Sequence, residues 1–190
     1  MNDPVEQADY TETGPRRMVQ VVEYDPTWPE RFAREQSSLA RALPEALAIE
    51  HIGSTSVPGL SAKPTIDILV VVTSVEALAA AEPALATLGY ELRDSFADDE
   101  QHSFFRKVVG GRRTHHLHIL TSESPRPREY LLFRDYLRSH TSVAEEYSQL
   151  KLDLATTYAT DRYRYVVEKS RYVSELLERA LASGDDAESH

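Results

Sequence analysis

Apolar and polar positions follow two regimes along the chain. Up to about residue 122, short apolar runs and alternations predict strands mixed with helical stripes, and from Pro127 onward the spacing becomes that of helices. Met18 to Tyr24 reads as a strand, and Asp25-Pro26-Thr27 offers a cap before a helix through Trp28, Phe32 and Leu39 to about Leu43. Ala48 to Ile52 reads as a short strand, Gly53-Ser54 as a tight turn, and Thr65 to Val72 as a buried strand carrying one charge, Asp67. The Ala- and Leu-rich stretch from Ser74 to Leu88 predicts a helix that Pro83 shortens or kinks and Gly89 ends. Strands follow at Tyr90 to Arg93, His102 to Val109 and Thr114 to Leu120, the last two joined by a hairpin around Gly110-Gly111. Three helices are expected near 127 to 139, 141 to 159 and 161 to 182. The pattern gives an α/β (α+β) domain over 18–182, with a sheet core at 18–122 and a carboxy-terminal helical region at 126–182. Residues 1–17 and 183–190 lack periodicity and are expected to be disordered tails without function.

Composition changes the picture in three ways. A length of 190 residues suits one domain with a sizeable core. The formal net charge of -10 repels phosphate backbones at long range, which argues against a general nucleic-acid-binding module and leaves only a local basic pocket to hold a nucleotide. Cysteine is absent, so thiolate nucleophiles and cysteine-bound zinc are excluded. No stretch approaches a membrane helix and no signal peptide is evident at the amino terminus, so a soluble cytoplasmic protein is expected.

Candidate chemistry concentrates in Glu50 to Val72, EHIGSTSVPGLSAKPTIDILVVV. An ionised Asp in an apolar strand costs several kcal/mol unless it is paired, hydrogen-bonded or metal-bound, so Asp67 is the first residue to suspect of chemistry. Its bland alternative is structural, with Asp67 paired to Lys63 or to loop amides. Gly53 permits a turn close to phosphate while Ser54 and Ser56 supply hydroxyls, although Gly-Ser alone also suits an ordinary loop. Lys63 can bring a positive charge to phosphates. In THHLHIL, His116 and His118 share one face of a strand, suiting ligation or proton transfer, or simply a polar surface. Tyr130 and Arg134, Tyr147 and Lys151, and Tyr165 and Lys169 each lie four apart on helices, so phenol and cation share a face and can build a phosphate-binding wall or pack at a core boundary. His51 and Arg106 are further candidates to line the pocket.

The segments YDPTWPERF, EHIGSTSVPGLSAKPTIDILVVV, LGYEL, HLHIL, FRDYLRSH, EEYSQLKLDLA and YRYVVEKSRYV resemble, in order, those of the GrpB family, placed by prediction in the nucleotidyltransferase superfamily. The resemblance runs from about Val19 to Leu181 and implies a nucleotidyltransferase-like mixed sheet flanked by helices. It also implies transfer of a nucleotidyl or phosphoryl group from a nucleoside triphosphate such as ATP to a small-molecule acceptor. Arg134, Lys151 and Lys169 match basic positions of the family, and His118 matches the histidine of its HLH segment. Superfamily enzymes commonly hold magnesium with two carboxylates two residues apart on one strand, whereas here Thr65 and Leu69 flank Asp67. Asp67 and His118 are therefore the expected catalytic and metal-holding pair, for Mg or alternatively Mn, with zinc also favoured by an imidazole. The alternative is a non-catalytic nucleotide- or coenzyme-binding module, since some family relatives are fused to dephospho-coenzyme A kinase.

Overall fold

The computed structural model describes residues 18–95 and 100–183. Helix α1 (Trp28–Ala42) is followed by β1 (Ala48–Ile52), a 3-10 turn (Ser54–Ser56), β2 (Ile66–Val72) and α2 (Val75–Thr87). Then come β3 (Tyr90–Ser95), β4 (His102–Val109), β5 (Arg112–Thr121), α3 (Arg126–Ser139), α4 (Thr141–Thr157) and α5 (Arg162–Ala182). The five strands form one mixed sheet in the order β1-β2-β5-β4-β3. The β2–β5 pair is parallel and the other pairs are antiparallel.

Strand alternation decides what each face of this sheet meets. Ile66, Ile68 and Val70 of β2, with Leu117 and Ile119 of β5 and Phe105 of β4, join Trp28 and Leu39 of α1 and Leu85 of α2 in the larger core. Intervening residues face the other way. Leu69 and Leu120 pack there with Ile52 and against Tyr130 and Leu131 of α3. A separate core of Leu132, Leu137, Tyr147, Leu176 and Ala180 holds α3, α4 and α5 together and takes in Val57 and Leu60 from the loop before β2. The opposing apolar patterns of β2 and the last three helices thus leave a seam between sheet and helical region.

Most expected elements form, with local differences. Met18 to Tyr24 is no strand: Val22 exchanges two 2.9 Å backbone hydrogen bonds with Ala62, and Val19 N donates to Ala159 O at 3.0 Å. Its backbone groups are satisfied by a loop and a helix end, so no ladder develops. Pro83 lies inside α2 without ending it, because Pro83 and Ala79 are both exposed and the carbonyl deprived of its bond is open to water. Gly110 and Gly111, with φ of 58° and 73°, give the β4–β5 hairpin the two left-handed residues its two-residue turn needs. The tail at 1–17 and most of that at 183–190 lie outside the described residues. No helix among the described residues is long and apolar enough to cross a membrane.

On the α1 face, Lys107 Nζ donates to Glu35 Oε1 at 2.7 Å, and His115 Nε2 lies 3.9 Å from Glu35 Oε2. The side chains of Glu35 and Lys107 are 11% and 20% exposed, so removing one leaves the other poorly solvated. Lys107→Met is therefore expected to cost about 2–3 kcal/mol, below the range for fully buried pairs because of that residual exposure. A urea unfolding series measures it, and an unchanged midpoint would show the pair to be neutral.

Candidate functional site

The seam opens into a cavity of about 1400 Å³ between the Asp67 face of the sheet and α3, α4 and α5. Gly53, Ser54, Lys63, Asp67, His116, His118, Lys151 and Lys169 all line it, with Tyr147 and Tyr165. These candidates, drawn from the loop after β1, two strands and two helices, are therefore assembled at one place.

At the cavity floor Asp67 lies opposite Ile52 in the β1–β2 ladder and opposite His116 in the β2–β5 ladder. The chain turns immediately after Ile52, which brings Gly53 against the carboxylate. Gly53 has φ of 67°, and a Cβ built on it would stand 3.0 Å from Asp67 Cγ and closer still to Oδ2. Glycine is required both by the left-handed backbone and by this approach. Ser56 Oγ donates to Gly53 O at 2.6 Å, so it shapes the turn.

Asp67 Oδ1 lies 3.0 Å from His116 Nδ1. Burial favours the neutral acid, but the hydrogen bond from His116, with the charge of Lys169, outweighs it and holds the carboxyl below its usual pKa. An ionised Asp67 accepts, so Nδ1 of His116 carries the proton. The other ring nitrogen, Nε2, is buried with no hydrogen-bond partner, and the Phe104 ring meets the imidazole edge-on at 5.3 Å. The imidazole thus keeps an unsatisfied lone pair beside the cavity.

His118, expected to help Asp67, is engaged elsewhere. Arg126 is only a donor, and its Nη1 lies 3.1 Å from His102 Nδ1, so His102 carries its proton on Nε2. That atom donates to His118 Nδ1 at 3.2 Å, and the Tyr130 hydroxyl lies 3.4 Å from the same nitrogen. His118 then carries its own proton on Nε2. Burial, together with the charge of Arg126, pushes the His102 pKa down to about 2.

Lys151 is the most constrained cation of the cavity. Its Nζ donates to Ser54 Oγ at 2.9 Å and to Ser61 O, and it sits 4.3 Å from the centroid of the Tyr147 ring. Only 2% of the residue is exposed, and it makes no ion pair among the described residues. Burial first, then the charges of Lys169 and Lys63, hold its pKa well below the lysine value, with Asp67 opposing them. Lys63 lies with its Nζ 4.6 Å from the centroid of the Tyr165 ring. The tyrosine-lysine faces of α4 and α5 therefore both line this cavity, and that of α4 reaches the Gly53-Ser54 turn through Lys151.

Several expected members lie away from this cavity. Arg134 bonds Glu50 Oε2 at 2.7 Å, Asp135 Oδ1 at 2.8 Å and the His51 carbonyl at 3.3 Å, and lines a second cavity of about 650 Å³ with His51 and Ser56. The β1 strand separates the two, and His51 there stacks on Phe32 at 4.7 Å and bonds Thr55 at 3.0 Å. Arg106 is buried, 4.0 Å from Glu91, and lines neither cavity. Conversely Arg113, Arg126 and Arg162 line the main cavity without having been singled out. His102 was also missed, although its alternation with Phe104 on β4 placed it beside His118.

A divalent metal finds a poor donor set here. Asp67 supplies one carboxylate, already bonded to His116 and pressed on Gly53; the neighbouring Leu69 position is filled by apolar packing; and His118 in this tautomer has no lone pair to give. Among the described residues no group of three or more His, Asp or Glu is arranged to hold a metal ion. Asp67, expected to pair with His118, is hydrogen-bonded to His116 instead.

A family profile described as GrpB protein matches residues 18–179. UPF0157 protein YqkA of Bacillus subtilis is 36% identical over 167 residues, which are 87% of this chain and 48% of YqkA. Dephospho-CoA kinase of Mycobacterium tuberculosis is 30% identical over 196 residues, covering 90% of this chain and 48% of that protein. The chain thus spans about half the length of both. The crystal structure of GrpB from Enterococcus faecalis superposes with a TM-score of 0.77 at 35% identity, over 86% of this chain and 98% of the other. Poly(U) polymerase Cid1 with MgGTP bound gives a TM-score of 0.50 at 17% identity over 77% of this chain and 50% of its own, a likeness of fold alone. The architecture is thus nucleotidyltransferase-like.

Gly53→Ala is expected to destabilise by at least about 2 kcal/mol, from the left-handed backbone and the collision with Asp67. In chemical denaturation, adding Asp67→Ala should recover the collision part, so that the double variant loses less stability than the sum of the single losses. Strict additivity would show backbone strain alone. Acid should also weaken the fold. Burial is the main cause holding His51 and His115 to about 4 and His102 to about 2, against roughly 6.5 when unfolded. Between those values the unfolded chain binds protons that the native one does not, so stability falls as pH drops from about 6.5 toward 4. A melting temperature unchanged across that window would contradict this.

Proposed function

The chain belongs to the GrpB family, and from that premise we propose that it transfers a nucleotidyl or phosphoryl group from a nucleoside triphosphate to a small-molecule acceptor. The observation that carries this is the meeting, in one cavity, of a buried lysine bonded to the Gly53-Ser54 turn and an ionised carboxylate pressed against that same turn. Ser54, Lys151, Lys169 and Lys63 hold the phosphates, and the backbone of Gly53 lets them approach closely. The acceptor is a small molecule rather than a nucleic acid, a choice supported by the net charge of -10.

Catalysis in this site is positioning and charge stabilisation. Asp67 fixes the His116 tautomer, and the Nε2 lone pair takes the proton of the acceptor hydroxyl as its oxygen attacks phosphorus. The bond to the leaving phosphates breaks as the lysines neutralise the charge that collects on them. His116 thus takes the role first expected of His118, while the His102–His118 pair supports the cavity wall. No step is routed through a metal, for which the donors do not fit.

Leu69 favours a second reading, a nucleotide- or coenzyme-binding module, because its apolar packing fills the position where a second carboxylate is usual. Incubation with labelled nucleoside triphosphates and a metabolite pool separates the two. Under the catalytic reading, pyrophosphate or diphosphate is released, and Asp67→Asn and His116→Gln each lower turnover by about 10²-fold or more with an unchanged melting temperature. Tight nucleotide binding without turnover across a wide acceptor panel would establish the module instead.

A further inference from the structure

We propose that the cavity binds the polyphosphate of its ligand as a metal-free anion, with Lys63, Lys151 and Lys169 supplying the positive charge that a bound divalent ion would otherwise bring. This rests on the nucleotide reading above for the identity of the ligand, while the anion site stands on its own geometry.

Two independent observations converge on it. The first is a buried cation with no counter-ion. Lys151 is 2% exposed, its Nζ is aimed by Ser54 Oγ and Ser61 O, and no carboxylate pairs with it among the described residues. Burying an ammonium in this state is costly, and two further lysines on the same cavity raise the cost. A polyphosphate seated on the Ser54 turn offsets that cost. Its oxygens accept from all three ammonium groups.

The second observation is that Asp67 is arranged to hold a side chain, not an ion. One carboxylate oxygen accepts from His116 Nδ1, and the other lies against Gly53. Leu69, two residues on and on the same face, is enclosed by Ile52, Leu120, Tyr130 and Leu131. An ion drawn to Asp67 would share the cavity with Lys169, whose charge already acts on that carboxylate. Lysine and metal are here alternative sources of the same charge, and the chain's own groups favour lysine.

The two models differ most at Asp67, which bridges ion and phosphate in one and repels phosphate in the other. Calorimetric titration of the whole protein with inorganic tripolyphosphate and with ATP, each in EDTA and in excess magnesium, tests this. Expected is binding of both ligands in EDTA at least as tight as with magnesium. Lys151→Met should weaken it about tenfold or more in EDTA, the loss expected for one charge-assisted bond. Asp67→Asn should leave metal-free binding unchanged or tighter. If Lys151→Met fails to fold, Lys169→Met and Lys63→Met carry the same expectation. Binding that requires magnesium and is lost in Asp67→Asn overturns the inference and keeps the nucleotide reading. Tripolyphosphate binding in EDTA without ATP binding keeps the inference and overturns that reading. Failure of both ligands to bind under every condition overturns both.

Discussion

The cavity depends on the parallel pairing of β2 with β5. That ladder sets Asp67 beside His116 while Ile66, Ile68, Leu117 and Ile119 point into the core under α1 and α2. Strand periodicity allows no intermediate arrangement: a slip of one residue would send the carboxylate into the apolar core and an isoleucine into the cavity. The site is thus held in place by the same packing that stabilises the sheet. Gly53 completes it, because only a residue without a side chain can follow Ile52 and still lie against Asp67.

Charge is distributed against the overall balance of the chain. The protein carries a net charge of -10, yet Lys63, Lys151, Lys169, Arg113, Arg126 and Arg162 all line one cavity. An acidic exterior around a basic recess disfavours long polyanions and lets a compact one in, since low-dielectric walls focus the field toward the recess. Nearby arginines outside it are tied down: Arg134 is held by Glu50 and Asp135, and Arg138 donates to the Ser56 carbonyl at 2.9 and 3.2 Å. Those two arginines brace the outer side of the loop whose inner side carries Ser54.

Much of this was legible in the sequence, for identifiable reasons. Hydrophobic periodicity located the five strands and the five helices, and a charge within an apolar strand drew attention to Asp67. The four-residue spacing of Tyr147 with Lys151 and Tyr165 with Lys169 was also visible, and both pairs reach the cavity. Spacing says which residues share a face but not which wall the face meets, so Arg134, with the same spacing from Tyr130, was misplaced across β1. Strand alternation put His116 and His118 together but could not give the register against β2, which alone decides that His116 meets Asp67. His102 and Arg126 come from separate elements, and only the closed β4–β5 ladder and the start of α3 bring them to His118.

The two separate cores, one under α1 and α2 and one among α3, α4 and α5, make the cavity a boundary between cooperative units. Such boundaries open at lower free energy than the interiors of the units they join. Lys151 and Lys169 ride on the helical unit, whereas Asp67 and His116 belong to the sheet. A ligand contacting both therefore acts as a clasp, coupling the two units and slowing amide hydrogen exchange throughout α4 and α5, including turns that it does not touch.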